Sequence, residues 1–162
     1  MRYGYAEPPL GDLLLIGDHA GLRGLYMQTT RYPVRVRSDW VRDDTSFTEV
    51  RTQLDQYFAG ERREFDVPLA AAGSLWQKQV WAALVAIPYG ETASYGQIAR
   101  EVGVPDGARA VGLANGQNPI SIIVPCHRVI GANGSLTGYG GGLDAKRWLL
   151  GHEAAHAGLF AS

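Results

Sequence analysis

The stretch Ile122-Ile123-Val124-Pro125-Cys126-His127-Arg128-Val129-Ile130 holds the single cysteine of the chain, followed directly by an imidazole and a guanidinium. A lone cysteine after an apolar run is usually a small core residue, and a lone histidine is usually a hydrogen-bonded structural one. Together they permit nucleophilic sulfur chemistry. A thiol with an ordinary pKa of about 8.5 is mostly protonated at neutral pH, so it needs a base, and a nearby cation such as Arg128 favours the thiolate. His127 can be that base. Consecutive residues of an extended chain point to opposite faces, so Cys126 and His127 couple only if the chain bends or if a water links them. A third group should orient the imidazole. Glu153, Asp144 and Glu101 are the candidates, and Glu153 lies beside an apolar stripe near the end of the chain. Pro119 and Pro125 hold the segment on a fixed path.

Neither a metal nor a cofactor is expected. One cysteine excludes a disulfide framework and a cysteine-cluster zinc site. His152 and His156 stand four apart but lack a third ligand nearby. The glycines from 138 to 142 do not follow a strand and open a helix, as a phosphate-binding loop must, so they read as a mobile loop over a pocket.

The elements that must position these groups fall into two parts. Residues 2–7, 12–18 and 21–28 read as strands separated by turn signals, an antiparallel meander. Residues 45–59 read as a helix, with Phe47, Val50, Leu54, Tyr57 and Phe58 on one face and Gly60 just past its end. Residues 65–69 read as one more strand. Ala70-Ala71-Ala72-Gly73 is the candidate linker, which divides the chain into 1–72 and 73–162.

Beyond it, Ser74-Leu75-Trp76-Gln77 and Ser94-Tyr95-Gly96-Gln97 are two capping boxes, each opening a helix. The first helix should bury Val80, Trp81, Leu84 and Val85 and stop at Pro88-Tyr89-Gly90; the second should end at Gly103. A third helix spans residues 108–116 and is ended by Asn118-Pro119. Residues 120–124 read as extended and buried, Ala132-Asn133-Gly134 as a tight turn, and residues 143–155 as a last helix with Trp148, Leu149 and Leu150 inside.

The 162 residues suit one domain or two small ones sharing a core. Hydrophobic residues at 46% and charged residues at 19% exclude a disordered or collagen-like chain. No apolar run approaches the ~18 residues that span a bilayer, and the first eight residues contain no apolar signal core, so no membrane partner and a cytoplasmic location are expected. Net charge is −1 overall, but residues 107–147 carry Arg109, Arg128, Lys146 and Arg147 against Asp144 alone. That is a local basic patch of a kind suited to a phosphate backbone, or simply a solvated face.

The two short helices at 95–103 and 108–116 have a helix-turn-helix pattern, with Ala99 for close packing and Gly103 for the turn. The second helix is poor in long polar side chains, offering Arg109 and Asn115. If it binds DNA it should do so with little sequence preference, and in the minor groove.

Pro125-Cys126-His127-Arg128-Val129 resembles the active-site motif of the O6-alkylguanine-DNA alkyltransferases. Asn118-Pro119, Thr137-Gly138-Tyr139-Gly140-Gly141-Gly142, Lys146-Arg147-Trp148-Leu149-Leu150-Gly151-His152-Glu153 and Ile87-Pro88-Tyr89-Gly90-Glu91-Thr92 resemble the same family. The match is dense over residues 74–153 and loose before residue 70. The resemblance implies an α/β (α+β) fold: a ribonuclease-H-like N-terminal sheet-and-helix domain and a mostly helical C-terminal domain with the helix-turn-helix. It implies single-turnover transfer of the alkyl group from O6-alkylguanine, and from O4-alkylthymine, in flipped nucleotides of duplex DNA to Cys126. Within it, His127 resembles the base that acts through a water and Glu153 the carboxylate that orients it. Asn118 resembles the asparagine supporting the active-site turn, and Tyr95 the tyrosine assisting the leaving guanine. Arg109 resembles the finger that fills the base stack. Ala108, Ala110, Gly112 and Asn115 resemble the rest of the DNA-contacting helix, and Val129, Tyr139, Gly140 and Lys146 the surroundings of the base pocket. The partner implied is double-stranded DNA without sequence preference, bound by a monomer that can crowd cooperatively. Pro8 departs from the serine that many members carry in the first turn, and residues 1–70, with His19 and no cysteine, cannot supply the zinc site some members have.

A thioether product has no electrophilic carbonyl, so the sulfur can act only once. Two alternatives differ in kind. One is a lesion-binding protein that transfers nothing, which Cys126 argues against. The other is a cysteine hydrolase or acyltransferase, which would turn over repeatedly on an ester or amide.

Overall fold

The structure is a computed structural model that describes residues 1–7, 9–28, 30, 33–139 and 141–160. Pro8 and Gly140 lie outside these residues. The chain begins with strands β1 (Arg2–Ala6), β2 (Leu13–Asp18) and β3 (Gly21–Met27), paired antiparallel as the turn signals predict. A two-residue strand β4 (Val41–Arg42) joins β1 in parallel, so the sheet order is β3-β2-β1-β4. The predicted first helix is a 3-10 turn (Asp44–Phe47) continued by α1 (Thr48–Phe58). Phe47, Val50, Leu54 and Tyr57 are buried at helical spacing. Gly60 has φ +78°, and a Cβ there would collide with the His156 ring, so only glycine suits both the turn and the close approach.

The exposed edge of β3 is covered by two pieces of chain. Leu22 exchanges backbone hydrogen bonds with Pro68 and Ala70, and Leu25 with Pro119 and Ser121. Only Leu69 of the segment 65–69 bridges the sheet. The strand expected there is a single crossing point, because the segment meets the edge at one residue only. The second piece, 119–121, leads straight to Cys126, so the sheet edge anchors the reactive turn.

In the second half, α2 (Leu75–Val85) and α3 (Tyr95–Glu101) open with the two predicted capping boxes. Val80, Trp81 and Leu84 of α2 are buried, but Val85 is 54% exposed; it ends the helix on the outer face, contrary to the expectation. A two-residue strand β5 (Ala93–Ser94) pairs in parallel with β6 (Val129–Ile130). The turn after α3 uses Gly103 at φ +82°, and α4 (Ala108–Gly116) completes the helix-turn-helix. The turn at 131–135 closes through the Gly131 amide on the Ser135 carbonyl. The last helix, α5 (Leu143–His156), buries Lys146, Leu149 and Glu153, while Trp148 and Leu150 are only half-buried. Among the described residues no helix is long and apolar enough to cross a membrane.

Candidate active site

Residues 120–124 are not extended. The Ile123 amide bonds to the Ser121 carbonyl at 2.8 Å, the Val124 amide to the Ile120 carbonyl at 3.0 Å, and the Cys126 amide to the Val124 carbonyl at 2.8 Å. Ile122 between them has φ +71°, unusual for a β-branched residue. Asn118 over-determines this turn: its Oδ1 accepts from the Ile120 amide at 3.0 Å and its Nδ2 donates to the Val124 carbonyl at 2.8 Å. Pro125 (φ −81°, ψ 64°) then leads into a 3-10 turn, Cys126–Arg128. That bend answers the geometric difficulty of adjacent residues: Cys126 and His127 are not in an extended strand.

Glu153 of α5 is 1% exposed and gathers the neighbouring polar groups. Its Oε2 accepts from His127 Nε2 at 2.7 Å, the Tyr57 hydroxyl at 2.6 Å and Arg128 Nη2 at 3.0 Å, and its Oε1 accepts from Arg128 Nε at 2.8 Å. Arg128 Nη1 donates to the Ile87 carbonyl at 2.7 Å. Of the candidate orienting carboxylates, Glu153 is therefore the one in contact with the imidazole. Arg128, expected to favour the thiolate, is committed to Glu153 instead. The cation acting on Cys126 is Lys146.

Burial works to raise the pKa of Glu153, but hydrogen bonds from His127 and Arg128 outweigh it and hold the carboxyl at about 2. Burial pushes the His127 imidazole below its ordinary value despite Glu153, so the ring is neutral. With a carboxylate at Nε2, the network assigns the proton to that nitrogen. Nδ1 is left as a buried lone pair without a partner among the described residues. Cys126 is 5% exposed. Burial raises its thiol pKa, and the Asn118 amide and the Lys146 ammonium oppose this. The resting site is thus a thiol beside a neutral imidazole and a fixed carboxylate.

Both His127 and Glu153 bind protons less readily folded than unfolded, so stability must fall as acid is added. From these two groups it should decline as unfolded histidine charges, around and below pH 6.5, and fall further from 4.5 down through about 2 as Glu153 is titrated. Urea midpoints measured from neutral pH to pH 2 check this; a flat profile below pH 4.5 contradicts it.

The other expected site residues divide into several groups. Tyr95, at the start of α3, shares a 2.5 Å hydrogen bond with the Thr137 hydroxyl, and its ring packs over Gly112 of α4. The Tyr139 hydroxyl is buried near Cys126 and Ser121 and has no well-formed hydrogen bond among the described residues. Gly141 lies against Met27 and the Tyr139 ring so closely that a Cβ would collide with both. Arg109 and Ala110 are exposed on α4, with Ala108 and Gly112 half-buried beside them.

Three residues do not lie on a surface open to DNA. Asn115 is buried, its Nδ2 3.4 Å from the Cys126 carbonyl, because its position on α4 faces the core. Val129 is buried within the short β5–β6 pair. Lys146 is fully buried, donating to the Val129 carbonyl at 2.6 Å and the Thr137 carbonyl at 3.2 Å. It braces the site from behind. Its signal in the sequence was the spacing Lys146, Leu149, Leu150, Glu153, one helical face carrying an ionisable group at each end. Tyr57 was legible only as a core position on α1.

Two family models cover the chain: the ribonuclease-like domain of 6-O-methylguanine DNA methyltransferase over residues 1–71, and its DNA binding domain over residues 75–155. The chain belongs to the methylated-DNA–protein-cysteine methyltransferase family. A family member from Methanosarcina acetivorans is 53% identical over 150 residues, 93% of this chain and 96% of that protein. One from Mycolicibacterium paratuberculosis is 52% identical over 157 residues, 97% of this chain and 94% of its own. Among solved structures, the Mycobacterium tuberculosis methyltransferase in complex with DNA superposes with a TM-score of 0.90 at 51% identity, covering 96% of this chain and 94% of that one. The ribonuclease-like sheet domain and the helical DNA-binding domain of the family are thus the two parts of this α/β fold.

Proposed function

We propose that this methylated-DNA–protein-cysteine methyltransferase repairs O6-alkylguanine in double-stranded DNA by moving the alkyl group to Cys126, once per molecule. The observation that carries the assignment is the buried, unpaired His127 Nδ1, whose other nitrogen is tied to Glu153 beside the only thiol of the chain. In the reaction the Cys126 proton passes to Nδ1, through a water where the two do not touch. The sulfur forms a bond to the alkyl carbon, and the carbon–O6 bond breaks with its electron pair going to guanine. Tyr95 assists the leaving guanine, a role supported by its place between α4 and Thr137. Glu153 stabilises the imidazolium that forms, and Lys146 the sulfur's developing charge. The product is a thioether that no water can hydrolyse. O4-alkylthymine presents the same carbon–oxygen bond and falls within the same chemistry.

The thiol is buried, and O6 inside a base stack cannot reach it. The nucleotide must be extruded, at a cost of a few kcal/mol that a damaged pair lowers, and Tyr139 must yield to admit it. The helix-turn-helix supplies the docking surface. The outer face of α4 carries Arg109, Ala110 and Leu113, too few polar groups to read bases in the major groove, which favours sequence-independent binding in the minor groove. The division at 72 and 73 is supported by the family models, which end at 71 and begin at 75. A thiol that must stay reduced suits a cytoplasmic setting.

Mass spectrometry after incubation with O6-methylguanine duplex tests the assignment. The Cys126 peptide should gain one methyl group. An unmodified peptide, with a duplex still competent for another repair protein, overturns it. Arg109→Ala should slow duplex repair about tenfold, as filling the vacated stack is lost, and leave the reaction with free O6-benzylguanine unchanged. Unchanged duplex repair would refute the finger role.

A further inference from the structure

The carboxylate that orients His127 is held from both halves of the chain. From its own half come the Arg128 contacts. From the other comes Tyr57, the last inward residue of α1, fully buried, its hydroxyl 2.6 Å from Glu153 Oε2. This is the same oxygen that receives His127 Nε2 at 2.7 Å.

The tyrosine ring has little freedom. Phe58 packs edge-on at 5.2 Å, Phe65 lies at 5.5 Å and His152 at 5.3 Å, and the Tyr57 backbone carbonyl is bound by His152 Nε2 at 2.7 Å. This enclosure fixes the direction of the hydroxyl. Burial and Glu153 hold the phenol pKa well above its ordinary value, so the O–H remains a donor throughout the working pH range.

We infer that Tyr57 is a positioning residue for the transfer: its hydroxyl, supplied by the sheet-and-helix domain, fixes Glu153 Oε2 and draws off part of its charge, and so sets how strongly His127 binds a proton. This rests on the functional reading above. An oxygen with three donors is a weaker acceptor for each than one with two, since they share the same charge. Removing the Tyr57 hydroxyl leaves more negative charge facing His127 Nε2, which favours imidazolium. The charged and titratable groups around the ring are otherwise Glu153 and Lys146 from α5, Cys126 and Arg128 from its own turn, and Tyr89, which lies against both Arg128 and Tyr57. Apart from Glu153, whose charge the hydroxyl shares, none of them is altered by the change.

The test is Tyr57→Phe, which keeps the ring and its packing. Single-turnover methyl transfer is measured against pH for parent and variant, and the His127 imidazole is titrated by NMR in the free proteins. The acid limb of the rate profile and the imidazole titration should both move upward, by about half a pH unit, with a several-fold lower plateau as the carboxylate loosens. Superimposable or downward-shifted curves overturn the inference. Should the phenylalanine variant not fold, 3-fluorotyrosine at position 57, a stronger donor, should move both curves the other way, and unmoved curves there overturn it equally. If the parent itself places no methyl on Cys126, the functional reading fails; if the parent transfers and the curves do not shift, only the role of Tyr57 fails.

Discussion

Replacing Glu153 by glutamine is expected to lower the transfer rate by about two to four orders of magnitude and stability by about 3–5 kcal/mol. Both effects come from one site. Among the described residues the carboxylate is the counter-charge paired with the buried Arg128 guanidinium, which is 6% exposed, and truncating one partner of such a pair leaves the other uncompensated. Glutamine keeps the shape but presents one amide in place of an acceptor oxygen. If that amide faces His127, it donates to Nε2, and the ring proton shifts to Nδ1. The nitrogen that should accept the thiol proton then already holds one. The loss should therefore appear in the chemical step, with duplex affinity retained. Single-turnover rates and urea midpoints measure the two effects separately. A variant that transfers at the parent rate would exclude Glu153 from orienting the base.

Asn118→Ala is expected to cost about 2–4 kcal/mol and to slow transfer about a hundredfold. Three hydrogen bonds vanish together, and the buried Ile120 amide loses its acceptor, while the Val124 carbonyl keeps only the Cys126 amide. The positive φ at Ile122 persists only because its surroundings enforce it. With that support gone the turn relaxes, and Cys126, four residues later, moves with it. Asn118→Asp separates the parts. It keeps the acceptor for Ile120 but sets a buried carboxylate oxygen against the Val124 carbonyl, so the stability loss should be at least as large, and the added negative charge near the thiol should make ionisation harder. Thermal unfolding and the methyl-transfer rate decide the outcome; an alanine variant with parent-like values of both would remove Asn118 from the support of the turn.

Local rules account for what the sequence made legible. The two Ser-x-x-Gln boxes fix helix starts by hydrogen bonds within four residues, and α4 runs from Ala108 to Gly116 as expected, its end set by Asn118-Pro119. The three-strand meander follows from turn residues and alternation alone. What escaped is non-local. Residues 120–124 look extended by composition, whereas their own backbone hydrogen bonds and the Asn118 side chain make them a turn. Residues 65–69 look like a strand, but the edge of β3 accommodates Leu69 alone. The candidate site shows the same division. Cys126, His127 and Glu153 were recognisable by residue type, whereas the Tyr57 contact joins positions 96 apart. Lys146 reads in the sequence as one member of a basic patch and, by resemblance, as part of the base-pocket surroundings. Its carbonyl partners, Val129 and Thr137, depend on how α5 packs.

The two pieces of chain laid along β3 have a bearing on cooperativity. Leu22 grips the segment leading out of the first domain, and Leu25, three residues on, grips the one leading into the reactive turn. One strand thus forms a common seam, through which loosening of the sheet reaches the thiol without any change in the helix-turn-helix. The two halves are therefore expected to unfold together, so that damage to the sheet is felt as damage to the chemistry.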